Sequence, residues 1–197
     1  MPRKKSVKRA AQNFLSDLQQ IRSLIETVRG KGLAERDLPW VYDYAIIRLH
    51  SSFERLITET IVGAVNNDTS TLAARTGVRF PKHLTDEVCE FLVTGGRFLD
   101  FKGRNGLIQA VKEYVPDSHY LVEVTKNKEF GTALDHLTAL RNFAAHKSKF
   151  AKRAALKALG IRKLSSSGDW LRRQNRFEEL ANKIERIAKS IEEAAPY

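Results

Sequence analysis

Apolar residues recur along the chain at alternating steps of three and four, a spacing that places them on one face of an α-helix. The first clear repeat consists of Phe14, Leu18, Ile21, Ile25 and Val28. Gly30 and Gly32 follow it, as glycines commonly follow the C-terminus of a helix. The pattern predicts an amphipathic helix that ends near residue 30.

A longer repeat begins after Asp37-Leu38-Pro39, where proline suits the first turn of a helix. Its apolar face is Tyr42, Ile46, Leu49, Phe53, Leu56 and Thr60. We expect one helix of about 25 residues that runs to Val65, long enough to form the spine of a bundle.

The rest of the chain is also mostly helical in pattern. We predict helices near 85–93, 105–115 and 128–145, a loop at 165–168, and a last helix with Phe177, Leu180, Ile184, Ile187 and Ile191 on one face. The stretch 119–125 is the only strand candidate. Because one strand cannot form a sheet, we interpret it as an extended connector or a short helix. The predicted fold is an all-α helical bundle, with a basic arm and N-terminal helix over 1–36 and a helical domain over 37–197.

Charge and cysteine content narrow the classes of function. The chain has 34 Lys and Arg against 23 Asp and Glu, a formal net charge of +11, which favours a polyanionic partner. The single cysteine, Cys89, excludes an internal disulfide or a cysteine-rich zinc site and suits a reducing compartment. No apolar run approaches the ~18 residues of a membrane span, so we expect a cytoplasmic protein.

Two further groups of residues bear on partners. Arg3, Lys4, Lys5, Lys8 and Arg9 form a basic cluster, which we expect to be a disordered arm that contacts nucleic acid. His83, His119 and His136 are too scattered to be metal ligands, and we expect neither a metal nor another cofactor.

The segment 140–148, LRNFAAHKS, is where we look for chemistry. On a helical wheel Arg141 falls about 40° from Leu137, inside the apolar stripe, so its charge must meet an acidic partner, a cleft or an anion, or else reach out from the edge of the core. His146 would point about 140° away from Arg141 on a continuing helix. The two groups converge only if the helix ends or bends there, or if a second chain completes the site.

Two nearby features extend this candidate site. Glu54 lies at the margin of the long helix's apolar face, one turn after His50, and is either a partner for Arg141 or an exposed side chain. The segment 147–173 holds nine cations and one acid, Asp169. Its first cations, Lys147, Lys149, Lys152 and Arg153, would hold an RNA backbone beside the histidine, unless they are simply solvated. We expect Phe143 and Trp170 to pack in the core rather than to stack on bases.

The run Arg141-Asn142-Phe143-Ala144-Ala145-His146 resembles the R-x4-H signature of HEPN domains, including the asparagine often found after the arginine. The resemblance extends over about 38–194, from the long helix that carries Ser52-Phe53-Glu54-Arg55-Leu56 to the final amphipathic helix. It implies a helical bundle and, in catalytic members, a metal-independent endoribonuclease that works as a homodimer with two facing signatures.

The chemistry implied by the resemblance suits these residue types. The 2′-hydroxyl of RNA attacks the neighbouring phosphate, so the protein need supply only a proton-transfer group and a fixed cation. His146 would be the general acid/base and Arg141 would stabilise the phosphate, while Asn142 would orient the histidine or hold a phosphate oxygen. The expected products carry a 2′,3′-cyclic phosphate and a 5′-hydroxyl.

The resemblance also leaves alternatives open. Some toxin-type members continue the signature as H-x-Y, and a partner enzyme modifies the tyrosine. Here Lys147-Ser148 follows His146, so that mode of silencing is not expected. On the basis of the resemblance, the chain is interpreted as an RNA-cleaving toxin or defence effector with a possible antitoxin partner. The alternatives are a non-catalytic HEPN module that binds a nucleotide, RNA or a protein, and a basic helical protein that coats nucleic acid.

Overall fold

The computed structural model describes residues 5–81, 84–97, 99 and 101–196, and all regular structure within them is helical. The α-helices of this part of the chain are α1 (Val7–Gly30), α2 (Leu38–Asn67), α3 (Ser70–Thr76), α4 (Asp86–Thr94), α5 (Gly103–Lys112), α6 (Tyr120–Lys126), α7 (Gly131–His146), α8 (Lys149–Leu159), α9 (Ser167–Leu171) and α10 (Arg176–Ala194). A 3₁₀ turn, Lys128–Phe130, precedes α7. The all-α prediction is confirmed.

Helix α1 follows its predicted stripe but begins earlier than the basic cluster suggested. Ser6 caps it by accepting a hydrogen bond from the backbone N–H of Arg9. Lys8 and Arg9 therefore lie in the first turn of a helix and not in a disordered arm. The Nζ of Lys5 lies 3.5 Å from Glu59, so this residue also contacts the folded chain. Arg3 and Lys4, which were predicted to belong to the same arm, lie outside the described residues.

Helix α2 is the spine of the bundle. It packs against α1, α4, α7, α9 and α10, and most of its residues are buried from Leu38 to Asn66. The rings of Phe14 and Phe53 meet edge to face at 6.1 Å, where α1 crosses it. Residues of α1, α2, α7 and α10 belong to one hydrophobic core, so the N-terminal helix is part of the main packing.

A second, smaller core joins α7 to α8. It contains Phe143, Ala151, Ala155 and Leu164, with Trp170 partly buried against it. The expectation that Phe143 and Trp170 pack internally is confirmed. Because the buried residues of α8 are alanines, this helix lies close to α7.

Several short elements differ from the sequence prediction or were left open by it. Residues 120–126 form the short helix α6, which was one of the two interpretations of that segment. The predicted loop at 165–168 instead contains the start of α9, which Ser166 caps by accepting a hydrogen bond from Asp169 N. Helix α3 was not predicted.

No helix among the residues that the structure describes has the length and apolar composition needed to span a membrane.

Helix α9 docks against both α2 and α7. The backbone N–H of Gly168 donates to Asp43 Oδ1 at 2.6 Å, and the hydroxyl of Ser167 donates to the carbonyl of Leu140 at 2.7 Å. A Cβ on Gly168 would lie 1.8 Å from the carbonyl oxygen of Pro39, so only glycine allows this approach. The contact fixes α9 beside the segment that follows α7.

We expect Gly168→Ala to destabilise the protein by roughly 1–3 kcal/mol or more, because backbone atoms of α2 cannot move away from the added methyl as a flexible side chain can. Chemical denaturation followed by circular dichroism measures the change. Gly30→Ala is the matched control, because nothing lies within 4 Å of its added Cβ. It should leave stability unchanged or raise it by up to about 1 kcal/mol. Equal effects of the two substitutions would contradict the close approach.

Candidate active site

Helix α7 ends at His146, the region where the sequence analysis considered an end or a bend of the helix. His146 is its last residue, and Lys147 adopts the left-handed conformation with φ of 49°. Ser148 then caps α8 by accepting a hydrogen bond from Ala151 N. The chain therefore turns immediately after His146. Residues 141–146 are all helical, so the side chains of Arg141 and His146 still leave α7 about 140° apart, and only the surrounding helices can bring them into one hollow.

Arg141, Asn142 and His146 all line one cleft of about 890 Å³, which we call the α7–α8 cleft. Its walls come from α7 and α8, with contributions from α2 and from the start of α5. The residues of the R-x4-H sequence thus share a hollow within a single protomer. This volume is within the usual range for small-ligand sites.

The guanidinium of Arg141 is partly buried, and its hydrogen-bonding capacity is only partly used. The side chain is 29% exposed, and Nη2 lies 4.0 Å from Glu54 Oε2. Nη1 donates to Asn142 Oδ1 at 2.9 Å. Within the described residues, Nε is buried and has no hydrogen-bond partner. The arginine therefore has one long ion pair and a free donor, an arrangement suited to receiving an anion.

Glu54 lies behind Arg141 and not in the α7–α8 cleft. Its side chain is 20% exposed, so it is not a fully exposed residue on the flank of α2. It lines a second hollow of about 780 Å³ between α2 and α4, and Arg141 lines that hollow as well. Arg141 is thus the residue that the two hollows share.

His50 is a member of the cleft that sequence reasoning noted only as a neighbour of Glu54. It is 2% exposed yet lines the cleft, and its ring stacks on Phe101 with centroids 5.9 Å apart. Its Nδ1 lies 3.1 Å from Glu54 Oε2. That contact lacks hydrogen-bond geometry, so neither ring nitrogen has a hydrogen-bond partner among the described residues. The carboxylate of Glu54 therefore lies between His50 and Arg141.

His136 also lines the cleft, which the sequence pattern did not indicate. Its Nε2 lies 3.1 Å from the carbonyl of Ala158, and a carbonyl only accepts, so Nε2 carries the proton. Burial lowers the pKa of His136, and this outweighs the opposing hydrogen bond. His136 is therefore neutral near pH 7 and tied to α8, which makes it a packing residue of the cleft wall.

Three histidines thus line one cleft, although the described residues contain no group of three or more His, Cys, Asp or Glu placed to hold a metal ion. His119 lies elsewhere, at the start of α6, where its side chain accepts a hydrogen bond from Leu121 N. His83 lies outside the described residues.

The predicted RNA-contacting cations lie beside the cleft. Lys149, Lys152 and Arg153 are exposed on α8, and the nearby Lys147 places its Nζ 4.1 Å from the ring centroid of Trp40 and 4.0 Å from Asp43 Oδ2. None of these four is among the described residues that line the α7–α8 cleft. The described cations that do line it, besides Arg141, are Lys102 and Lys157. Lys102 was missed, because only the fold brings the start of α5 to α7.

We expect the stability of the protein to fall as the pH decreases from 7.5 to 5.5, and His136→Gln to reduce that fall. Because the pKa of His136 is lower in the folded state, the unfolded chain binds its proton first. The stability contributed by the neutral ring is then present above the unfolded pKa of about 6.5 and is lost below it. Glutamine can donate to Ala158 but does not titrate in this range.

Urea denaturation at pH 7.5 and 5.5 gives the loss of unfolding free energy for the wild type and for His136→Gln. The loss should be smaller in the variant. A difference between wild type and variant that does not change with pH would contradict the assignment.

No family model matches the chain, and neither a curated protein nor a solved structure matches it. The roles of the residues in the α7–α8 cleft are therefore inferred from their own chemistry, together with the resemblance of the R-x4-H sequence.

Proposed function

We propose that the protein is a metal-independent endoribonuclease of the HEPN type. The observation that carries the proposal is that Arg141, Asn142 and His146 line one cleft, with the guanidinium partly buried and its Nε without a partner among the described residues. An imidazole and an under-used guanidinium in one hollow are the two groups that cleavage by the 2′-hydroxyl requires.

The reaction proceeds by transesterification. The 2′-oxygen forms a bond to phosphorus, the bond from phosphorus to the 5′-oxygen breaks, and a 2′,3′-cyclic phosphate and a 5′-hydroxyl result. One group takes the proton from the 2′-hydroxyl and another gives a proton to the leaving 5′-oxygen. His146 fills one of these roles. In a homodimer of the kind that the resemblance implies, the His146 of a second protomer fills the other.

Arg141 stabilises the charge that develops on the phosphate oxygens. Its Nη1 already binds Asn142 Oδ1, and this bond leaves the amide N–H groups of Asn142 for a phosphate oxygen or for His146. Glu54, 4.0 Å from Arg141 and 3.1 Å from His50, acts as a positioning residue that keeps the guanidinium at the cleft wall. His50 supports Glu54 in turn.

Replacing His146 by alanine is expected to reduce RNA cleavage by about 10²- to 10⁴-fold, the usual contribution of a proton-transfer group. Replacing Arg141 by alanine is expected to reduce it by about 10²- to 10³-fold, the usual contribution of a group that stabilises developing charge. Cleavage of a fluorescent RNA in buffer that contains EDTA measures it, with the product ends identified by their cyclic phosphate. His146→Ala should still bind RNA, because the imidazole serves the chemical step.

Arg48→Ala is the matched control, since it removes an exposed cation of α2 that does not line the cleft. Its cleavage rate should equal that of the wild type. The proposal fails if the wild type cuts no RNA under these conditions, or if the Arg141→Ala/His146→Ala double variant cuts equally well. RNA binding without cleavage would favour a non-catalytic binding module.

Replacing Lys149, Lys152 and Arg153 together by alanine is expected to weaken RNA binding and to make it less sensitive to salt. Each cation that neutralises a phosphate of a single strand adds about 0.7 to the slope of log affinity against log salt. Fluorescence anisotropy at several salt concentrations measures the slope.

The control for this triple variant replaces Lys31, Arg48 and Arg79, three exposed cations distant in sequence from α8. Both variants carry the same net charge. If both changed the slope equally, the effect would be one of total charge and the α8 cations would have no special role.

A further inference from the structure

We propose that Phe150 is a stacking platform for an unpaired nucleobase, so that the α7–α8 cleft takes single-stranded RNA. The inference rests on the proposed function, because it names the substrate class of the same site. Phe150 lies in the first turn of α8, four residues after His146, and lines the cleft together with Arg141 and His146. Sequence reasoning did not single it out.

The exposure of this ring has no packing explanation. Phe150 is 83% exposed, the most exposed of the large apolar side chains among the described residues. Its neighbour Ala151 is buried against α7, so α8 turns a small residue inward and leaves the aromatic ring outside. Burying a phenylalanine is ordinarily favourable, and this one remains available to a ligand.

The face of α8 that carries Phe150 is shaped to accept a flat group. Ala154 and Lys157 follow at helical spacing and line the same cleft, as does Ala158. The alanines leave open space beside the ring, and Lys157 lies roughly 10 Å further along the axis at 1.5 Å per residue. An aromatic surface next to a cation is the combination with which proteins hold a base and its phosphate.

The charge of the cleft fits a nucleotide strand. Among the described residues, Arg141, Lys102 and Lys157 line it against one carboxylate, Asp135. Its Oδ1 already accepts a hydrogen bond from the backbone N–H of Arg104 at 3.0 Å. A cleft that offers cations and an apolar ring together suits a ligand that is both anionic and aromatic.

The strand has to be unpaired. In a duplex each base is stacked on its neighbours, and in A-form RNA the deep, narrow major groove keeps side chains from the bases. Only a base that has left the stack can lay its face on Phe150. Because a phenyl ring forms no hydrogen bonds, stacking of this kind tolerates any base, so we expect a preference for loops and single strands rather than for a sequence.

The test measures binding without cleavage, on the full chain. Affinities are determined by anisotropy for a fully 2′-deoxy single strand, which has no 2′-hydroxyl to attack, and for the blunt-ended duplex of that strand with its complement. RNA versions of both are used with His146→Ala protein. The variants are Phe150→Ala, Phe150→Leu, which keeps apolar bulk without a ring, and Phe150→Trp. Phe91→Ala is the control, since Phe91 is 65% exposed on α4 outside the cleft.

Phe150→Ala and Phe150→Leu should lower the affinity for the single strand roughly 5- to 150-fold, the range that one stacked base contributes. Neither should change the affinity for the duplex. Phe150→Trp should retain the affinity, and its fluorescence should change when the single strand binds. Phe91→Ala should behave as the wild type.

The inference is overturned if the wild type binds no single strand, if leucine serves as well as phenylalanine, or if the single strand and the duplex lose affinity equally. It is also overturned if Phe150→Ala alters the oligomeric state by light scattering and leaves the affinity intact, since the ring would then cover a second copy of the chain. Failure of the proposed function looks different, because the single strand would bind through Phe150 while unmodified RNA stayed uncut.

Discussion

A helix that is buried on most of its sides can carry polar side chains only where a neighbouring element forms a hydrogen bond or an ion pair with them. An unpartnered buried charge costs several kcal/mol. Helix α2 is such a helix. Its Ser52 donates to Asp17 of α1 at 2.8 Å, and its Asp43 accepts the N–H of Gly168 in α9. Burial nevertheless raises the pKa of Asp43, so the single strong hydrogen bond does not fully replace water. These contacts fix how α1 and α9 are placed along the spine.

The same constraint locates the candidate site. Further along α2, His50 and Glu54 are the polar groups that face α7, and Arg141 is the residue that approaches Glu54. This set is less completely satisfied than the others, since the ring nitrogens of His50 and the Nε of Arg141 are among the buried atoms without a hydrogen-bond partner in the described residues. The α7–α8 cleft therefore lies beside polar groups of α2 and α7 that lack hydrogen-bond partners among the described residues.

Hydrophobic periodicity was sufficient for the long helices and for α4 and α5, and insufficient for α3, α8 and α9. The predicted bounds of α2 and α7 lie within three residues of the observed ones, whereas α1 begins before its predicted stripe. Helix α8 buries only Ala151 and Ala155, residues too small to give a recognisable stripe, so its sequence showed only charge. Helix α9 depends on the contact of Gly168 with Pro39, which is remote in sequence.

The candidate site was predictable from the sequence only where its residues lie on one predicted helix. The helical wheel put Arg141 inside the apolar stripe of its helix, and the structure gives it partial burial and a contact with Glu54. The wheel had no information on His136 or Lys102, which reach the cleft through tertiary packing. Nor did it indicate that Lys147 would lie over Trp40.

The two sides of α8 would act on a polyanion at different distances. Lys149, Lys152 and Arg153 project outward, and their attraction extends about a Debye length, roughly 10 Å at 0.1 M salt, whatever the shape of the molecule that approaches. The ring of Phe150 acts only on contact. Added salt should therefore slow the arrival of every strand while leaving unchanged how the ring sorts those that have arrived.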